Sequence, residues 1–211
     1  RLDGFSHAHL FYIVNKKNAW QLETQIVEII EVDTKSGKVK IKDWHLEWQE
    51  TDLVDIKPYF PCEDSVKEKC DTHDLSLRSV SLLAHEKEKN LFEMQSIGVI
   101  RQTHGLVYID LDSAFSIKSD YIKVIWWFDK FDDEKYRRIV ECNPPYEEAP
   151  RSGVFATRSP VRPNPLAMTV AKVERIDKKL GRIYISGIES FDKTPCLGII
   201  DYQTELDFRE E

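Results

Sequence analysis

The sequence has 211 residues, of which 41% are hydrophobic and 32% charged, and its formal net charge is −7. This composition is typical of a folded globular protein with one large domain or two small ones, and it excludes a disordered chain. The longest apolar runs, such as residues 124–128, are far shorter than the roughly 20 residues of a membrane-spanning helix, so we expect no membrane contact. Net acidity disfavours a nucleic-acid-binding protein, although a local basic patch would suffice for one.

The cysteines are too few and too scattered for a disulfide scaffold, which predicts free thiols in a cytoplasmic protein. Cys62, Cys70 and His73 lie close in sequence, but their spacing matches no standard zinc pattern, and we therefore expect no metal site. The chain begins at Arg1 without a methionine or a signal peptide, which leaves open whether residues precede it.

Residues 1–61 contain short strand patterns. FSHAHLFYIV (5–14) is apolar and aromatic, as a buried strand is, and its His7 and His9 are expected to be structural. QIVEIIEVDTKSGKVKI (25–41) has a strand, a glycine-containing turn and an alternating strand, which predicts a β-hairpin. TDLVDIKPY (51–59) follows as a further apolar segment.

Residues 62–95 are charge-rich and mixed, and we expect a linker that packs on the surface. Within this segment residues 79–88 are predicted to form a short helix. A second helix is predicted over residues 132–141, ended by Pro144 and Pro145.

Residues 96–211 repeat the pattern of the first 61. YIKVIWWFDK (121–130) aligns with 5–14, TVAKVERIDKKLGRIYI (169–185) with 25–41, and TPCLGIIDY (194–202) with 51–59. Strands that recur at short spacing favour a mostly β fold with a few short helices. We therefore predict two β-barrel copies related by a pseudo-two-fold axis, as a monomeric pseudo-dimer or a further homo-oligomer.

The segment GVFATRSPVRPNP (153–165) stands out, and we call it the signature loop. Prolines 160, 163 and 165 fix φ and make the loop rigid. Residues 149–173 contain basic residues and no acidic one, which predicts a local positive site in an acidic protein. The alternative is a stiff surface loop whose arginines are solvated.

The signature loop resembles the pattern GVFATRSPxRPNPIG of the TrmO/TsaA-like methyltransferases. The resemblance extends from SIGVI (96–100) to Tyr202, and to FSHAHLF (5–11) and TDLVDIKPYFP (51–61). It implies a dimeric β-barrel methyltransferase that binds S-adenosylmethionine near the subunit interface. The implied reaction methylates the exocyclic amine of threonylcarbamoyl-adenosine beside the tRNA anticodon. The absence of a strand–GxGxxG–helix pattern is consistent with a cofactor site of this non-Rossmann kind.

The sequence departs from the family pattern in a complementary way. Residues 55–59 keep DIKPY but the first copy lacks the signature loop, whereas the second copy has the loop and reads GIIDY at 198–202. This predicts a degenerate copy at 1–61, a linker at 62–95, a methyltransferase copy at 96–211, and one active site shared between the copies. The alternative is that DIKPY is only a strand end with a solvated Lys57.

The resemblance also implies roles for individual residues. Arg158 or Arg162 would bind the carboxylate of the cofactor, and Asp192 or Asp55 would accept the proton of the methylated amine. For each aspartate the alternative is a turn carboxylate that accepts backbone N–H groups, and for Phe155 it is a core position. The predicted cofactor-binding residues are Phe155, Thr157, Arg158, Ser159, Arg162, Asn164, Thr194 and Leu197.

Two other functions fit the same sequence. One is a non-catalytic module that binds S-adenosylmethionine or RNA, which the loss of motif parts from each copy favours. The other is a methyltransferase that acts on a small molecule, since the acidic charge argues against tRNA. Turnover of the cofactor to S-adenosylhomocysteine separates the first of these from an enzyme.

Overall fold

The computed structural model of the protein describes residues 2, 4–42, 51–66, 79–89, 91–112, 114–143 and 150–208. The fold is mostly β with a few short helices, as predicted. Its strands are β1 (His7–Lys16), β2 (Ala19–Asp33), β3 (Lys38–Lys42), β4 (Asp52–Pro58), β5 (Ser79–Glu86), β6 (Leu91–Met94), β7 (Gly98–Thr103), β8 (Leu106–Leu111), β9 (Tyr121–Trp127), β10 (Glu141–Cys142), β11 (Ser152–Gly153), β12 (Leu166–Asp177), β13 (Arg182–Ser186) and β14 (Thr194–Asp201). The helices are α1 (Pro61–Asp64), α2 (Glu134–Arg137) and α3 (Thr204–Asp207), with 3₁₀ turns at Lys87–Lys89, Asp129–Phe131 and Val154–Ala156. None of these helices is long and apolar enough to cross a membrane.

Strands β1–β6 form one sheet, which we call the first sheet, in the order β4-β1-β2-β5-β6, with β3 paired to β2. The apolar run of β1 is buried from Ala8 to Val14 because β2 and β4 flank it on both sides. The predicted hairpin at 25–41 is confirmed by the pairing of β2 with β3. In the described residues this sheet is open, so the predicted barrel of the first copy stays a prediction. The described part of the first copy has no counterpart of β7 and β8 to close it.

The second half of the chain forms a closed barrel in the order β12-β13-β8-β7-β14-β9. The hairpin predicted at 169–185 is confirmed by the pairing of β12 with β13. A cluster of buried side chains packs together in the barrel, among them Ile100, Ile109, Val124 and Ile183, each 0% exposed. β9 is buried on both faces, because Val124 lies in this cluster and the next residue, Ile125, is 1% exposed.

Two predicted helices differ from the observed elements. Residues 79–86 form β5, which pairs with Gln21–Glu23 of β2 and buries Val80, so the prediction of a helix at 79–88 is wrong. Pairing with an available strand edge outweighs local helix propensity here. The helix predicted at 132–141 shortens to α2, where the Asp133 side chain accepts a hydrogen bond from the Lys135 amide as an N-cap. Pro144 and Pro145 lie outside the described residues.

The β-bulges of the two halves lie at matching positions of the aligned segments. The β2–β3 pairing skips Ile30 and the β12–β13 pairing skips Glu174, which are matched positions in the aligned hairpins. The β1–β4 pairing skips Val54, and the β9–β14 pairing skips Leu197. These bulges support the alignments of 25–41 with 169–185 and of 51–59 with 194–202. The pseudo-two-fold axis itself stays a prediction.

The alignment of 5–14 with 121–130, made from the sequence, differs by two residues from the correspondence that the strand pairing gives. His7 pairs with Glu28 and Tyr121 with Lys172, and these positions make His7, not Phe5, the counterpart of Tyr121. A strand has a side-chain period of two, so a shift of two residues keeps every side chain on its face. Apolar pattern alone therefore did not distinguish the two registers.

A shared core joins the first sheet to the barrel. It is built from matched positions: Phe11, Leu22 and Val54 of the first sheet lie in one cluster with Ile125, Leu166 and Leu197 of the barrel. Val80 of β5 belongs to the same cluster and packs over Gly198, the barrel's counterpart of Asp55. A Cβ built on Gly198 would overlap Val80 Cγ2, so β5 occupies the space that a side chain would need there.

We expect the Gly198→Ala substitution to lower stability by about 1–3 kcal/mol, the usual cost of overpacking a core. Combining it with Val80→Ala should relieve the overlap, so that the double variant is more stable than the sum of the single effects predicts. Urea denaturation of the four proteins measures this coupling.

Gly105→Ala serves as the matched control. Gly105 has a φ of +78° and nothing within 4 Å of an added Cβ, so its substitution strains the backbone without touching Val80. Its effect should add to that of Val80→Ala. Additive effects for Gly198→Ala as well would show that the two side chains do not compete for this space.

Candidate functional site

The signature loop leaves β11, makes the Val154–Ala156 turn and enters β12. It lies against β4 and α1 of the first half of the chain. Three of its side chains, those of Arg158, Arg162 and Asn164, make hydrogen bonds to residues about 100 positions earlier in the sequence. The loop and DIKPY are thus in direct contact, as the prediction of a shared site requires.

Arg162 is 0% exposed and forms the centre of this contact. Its Nε and Nη2 donate to Asp55 Oδ1 at 3.2 and 2.8 Å, and Nη2 also donates to the Ile56 carbonyl at 3.0 Å. Its Nη1 donates to the carbonyls of Thr157 and Ser159, both at 3.2 Å. Every nitrogen is therefore used within the protein, and no part of the side chain is accessible to a ligand.

Arg158 is more open, with a side chain 22% exposed. Its Nη2 donates to the Pro58 carbonyl at 3.0 Å and to the Asp64 carboxylate. Its Nε lies 3.6 Å from Glu63 Oε2 but has no aligned hydrogen-bond acceptor in the described part of the chain. The guanidinium also lies 5.1 Å from the ring of Phe60, a cation–π contact.

Asp64 ends α1 and links this helix to β1. Its Oδ2 accepts a hydrogen bond from the Phe60 amide at 2.8 Å and lies 3.3 Å from His9 Nε2. Burial alone would raise the pKa of Asp64, but His9, Arg158 and the Phe60 amide together hold it below its ordinary value. Burial lowers the pKa of His9 more than the contact with Asp64 raises it, so His9 is neutral near pH 7.

Lys57 lies beside this contact and is 2% exposed. Its Nζ is 2.7 Å from Asp55 Oδ2. Burial lowers the pKa of Lys57 to about 7; the charge of Asp55 opposes the shift and that of Arg162 adds to it. The alternative of a solvated Lys57 at a strand end is therefore wrong.

A cleft of about 1300 Å³ opens between the two halves at this point. We call it the inter-half cleft. The first half contributes Lys57 and α1, and the second contributes the signature loop, β9, β12 and the turn after β13. Its walls combine charged and aromatic groups, a mixture typical of ligand sites. The lining includes Lys57, Glu63, Ser65, Tyr121, Trp126, Phe128, Arg158, Met168, Thr169 and Glu189.

Among the predicted cofactor-binding residues, Arg158 lines the inter-half cleft. Thr157 and Ser159 hydrogen-bond within the loop, where Thr157 Oγ1 and Ser159 Oγ accept from the Ser159 and Val161 amides. Asn164 Nδ2 donates to the Val54 carbonyl at 2.7 Å. Phe155 is 38% exposed and is thus not a core residue. Thr194 is 1% exposed and Leu197 lies in the shared core.

The two predicted proton acceptors lie in different places. Asp55 is buried beside the cleft between Arg162 and Lys57. Asp192 is exposed and accepts hydrogen bonds from the Gln102 amide and the Arg101 Nε, both at 3.0 Å. The Gln102 amide is the main reason why the pKa of Asp192 is low. This is the turn-carboxylate arrangement that we gave as the alternative.

Several cleft residues were missed by the sequence analysis. Lys57 lies within DIKPY, where a charged residue is ordinarily expected to be exposed. Trp126 and Phe128 were assigned only to a buried strand, and nothing in the sequence indicates that they face a cleft. Cys62 lines the cleft and is exposed, whereas Cys70 and His73 lie outside the described residues.

We expect Asp55→Ala to lower the free energy of unfolding by about 3–5 kcal/mol, because the buried Arg162 would lose its counter-charge. Asp192→Ala is the matched control, since it also removes an aspartate bound to an arginine, but at the surface. Its effect should be much smaller, because exposed pairs are screened by solvent. Equal losses for the two variants in urea denaturation would contradict the buried-pair assignment.

Comparison with known proteins identifies the family. A family model described as the tRNA-methyltransferase O N-terminal domain matches residues 111–208, which include the signature loop. A probable S-adenosyl-L-methionine-binding protein of Methanocaldococcus jannaschii is 33% identical over 124 residues, which are 56% of this chain and 97% of that protein. Another protein so named, from Pyrococcus horikoshii, is 37% identical over 127 residues, which are 57% of this chain and 89% of the relative. A mouse tRNA (adenine(37)-N6)-methyltransferase is 36% identical over 87 residues, covering 41% of this chain but 19% of the mouse protein. The chain belongs to the TrmO family.

Proposed function

We propose that the protein is an S-adenosylmethionine-dependent methyltransferase whose cofactor binds in the inter-half cleft. The observation that carries the proposal is the buried contact of the signature loop with DIKPY, which places elements of both halves around one cleft. Family membership and the names of the archaeal relatives support this cofactor.

The side chains of the cleft suit the chemical groups of this cofactor. The Arg158 side chain lines the cleft and is 22% exposed, so its guanidinium can donate to a carboxylate. Glu63 and Glu189 can accept hydrogen bonds from an ammonium or from ribose hydroxyls, and their charge favours a sulfonium. Trp126 and Phe128 offer aromatic surface for an adenine ring. Bound here, the cofactor would supply an electrophilic methyl group.

We assign Arg162 and Asn164 a positioning role instead of a direct contact. Both donate hydrogen bonds to the strand β4, and Asn164 Oδ1 also accepts one from Arg137 of α2 at 3.2 Å. Methyl transfer depends mainly on holding the reacting atoms in line, so a rigid loop matters more than a large number of polar contacts.

For the acceptor we propose the exocyclic amine of a modified adenosine in tRNA. The mouse relative is named for methylation of an adenine N6 in tRNA. At about 1300 Å³ the cleft exceeds the roughly 300–1000 Å³ common for single small ligands, which leaves space for a base beside the cofactor. Arg137 of α2 donates to the Pro163 carbonyl of the signature loop, and the neighbouring Arg138 is an exposed cation able to contact phosphate.

We further propose that residues 1–61 and 96–211 are two copies of one unit, related by a pseudo-two-fold axis and forming one complete site. The parallel bulges and the matched positions in the shared core support this arrangement. The segment 62–95 then joins the copies, and its strands β5 and β6 extend the first sheet. A non-catalytic S-adenosylmethionine-binding module is the second candidate, favoured by the names of the archaeal relatives.

Calorimetric titration should give one S-adenosylmethionine per chain. Arg158→Ala should weaken binding about 10- to 150-fold, because a charge-assisted hydrogen bond is lost. Arg151→Ala is the matched control: its side chain is 68% exposed and pairs with Glu141 at the surface, so we expect unchanged affinity. Equal affinity in the Arg158 variant and the wild type would contradict the location of the site.

Methylation is tested separately with bulk tRNA and with tRNA whose anticodon-loop adenosine carries the threonylcarbamoyl group. Mass spectrometry of the digested nucleosides should show a gain of one methyl group on that adenosine, with equal formation of S-adenosylhomocysteine. Tight cofactor binding without turnover on either tRNA would favour the binding module instead.

A further inference from the structure

We propose that Lys57, with its amine unprotonated, accepts the proton that leaves the acceptor amine during methyl transfer. The inference rests on the proposed function and adds a catalytic residue to it. Lys57 is the residue of DIKPY that lines the inter-half cleft, although it is only 2% exposed. Its Nζ is buried, and Asp55 Oδ2 lies 2.7 Å from it.

Burial is the main cause that favours the neutral form of Lys57, and the charges of Arg162 and Arg158 act in the same direction against that of Asp55. Asp55 is the nearest carboxylate, and its Oδ1 already accepts two hydrogen bonds from Arg162. A guanidinium stays charged at all accessible pH values, so Asp55 already has one cationic partner in Arg162. A protonated Lys57 would add a second cation beside this single carboxylate in a buried cluster.

The charged groups on other elements near Lys57 add one further cation, Arg158. His9 lies opposite Lys57 in the β1–β4 pairing and is neutral, and Asp64 is paired with Arg158. Arg158 adds a further positive charge on the same side, while Glu63 and Glu189 line the more open part of the cleft. Burial together with these cations places the pKa of Lys57 at about 7, close to the optimum for a general base.

The proton balance of the reaction needs such a group. The cofactor would supply the methyl group, with the methyl–sulfur bond breaking and its electron pair left on sulfur. The acceptor nitrogen forms the new N–C bond and becomes acidic, because it carries a positive charge until one N–H proton leaves. That proton passes to the lone pair on Lys57 Nζ. Asp55 Oδ2, 2.7 Å away, stabilises the resulting ammonium, and the proton returns to water when the products leave.

This assignment distinguishes Lys57 from Asp55. Oδ1 of Asp55 accepts hydrogen bonds from Arg162, and its buried Oδ2 lies 2.7 Å from Lys57 Nζ, so neither oxygen faces the cleft. Asp55 is therefore a positioning residue that orients Arg162 and Lys57. In the barrel the position matching Lys57 is Ile200, opposite Lys123, so the second half has no equivalent amine at this strand position.

The first test uses the protein without cofactor. In protein labelled with ¹³C at lysine Cε, one lysine signal should titrate near pH 7, and it should be absent from Lys57→Met. The methionine variant keeps the side-chain volume and removes a buried amine, so it should fold. A Lys57 signal that titrates above pH 9 would overturn the proposal.

The second test separates catalysis from binding. Lys57→Met should reduce kcat about 10²- to 10⁴-fold while the affinity for S-adenosylmethionine in calorimetry stays within a factor of about three. In the wild type kcat should rise with pH through about 7, because the reactive form is unprotonated, and this limb should be absent in the variant. Lys130→Met, which removes an exposed lysine paired with Asp129, is the control and should keep the wild-type profile.

The outcomes distinguish the inference from the proposed function. Wild-type protein that binds no cofactor, or binds it and methylates no tRNA, would overturn both. Turnover of Lys57→Met within a few-fold of the wild type would overturn the role of Lys57 alone. Lys57→Met could also have a strongly reduced kcat whose pH dependence is the same as in the wild type. That result would make Lys57 a positioning residue and would contradict the proposal.

Discussion

The buried pair of Arg162 and Asp55 is the interaction on which the rest of the site depends. It joins residues 107 positions apart, and both side chains are at most 2% exposed. A guanidinium cannot lose its charge, so a buried arginine requires a fixed counter-charge and filled hydrogen bonds. Arg162 meets this requirement only when the signature loop and β4 are both in place. The same contact therefore positions Arg158 and Lys57 at the cleft.

The two short helices at the ends of β4 and β14 show how similar local structure gives different sites. In each, the last residue is an aspartate that accepts the amide of the residue before the helix: Asp64 from Phe60 and Asp207 from Gln203. The partner on the neighbouring strand, β1 or β9, differs: Asp64 faces a neutral His9, whereas Asp207 binds Lys123 at 2.6 Å. Asp64 can therefore pair with Arg158 at the cleft, whereas Asp207 pairs with Lys123.

Both hairpins and one tertiary contact of this fold were predictable from sequence. Other tertiary features were not. Both hairpins and the contact of the loop with DIKPY followed from the repeat and its complementary losses. The strand at 79–86 did not, because its conformation depends on the free edge of β2 and on the space beside Gly198. The burial of Arg162 and Lys57 also escaped prediction, since a charged residue in a motif is usually exposed. Only the packing of the two halves shows that these charges are enclosed.

The proposed two-copy arrangement accounts for copies that differ and together form one complete site. In a symmetric dimer each loop needs an Asp55 equivalent on its partner, and each DIKPY needs a loop. Within one chain, a single arginine requires a single aspartate, and the matching position 198 is released from this constraint. There a glycine suffices, and Val80 packs over it as part of the shared core. Through Val80, β5 thus adds apolar contacts between the first sheet and the barrel, the two parts of the protein that bring β4 and the signature loop together.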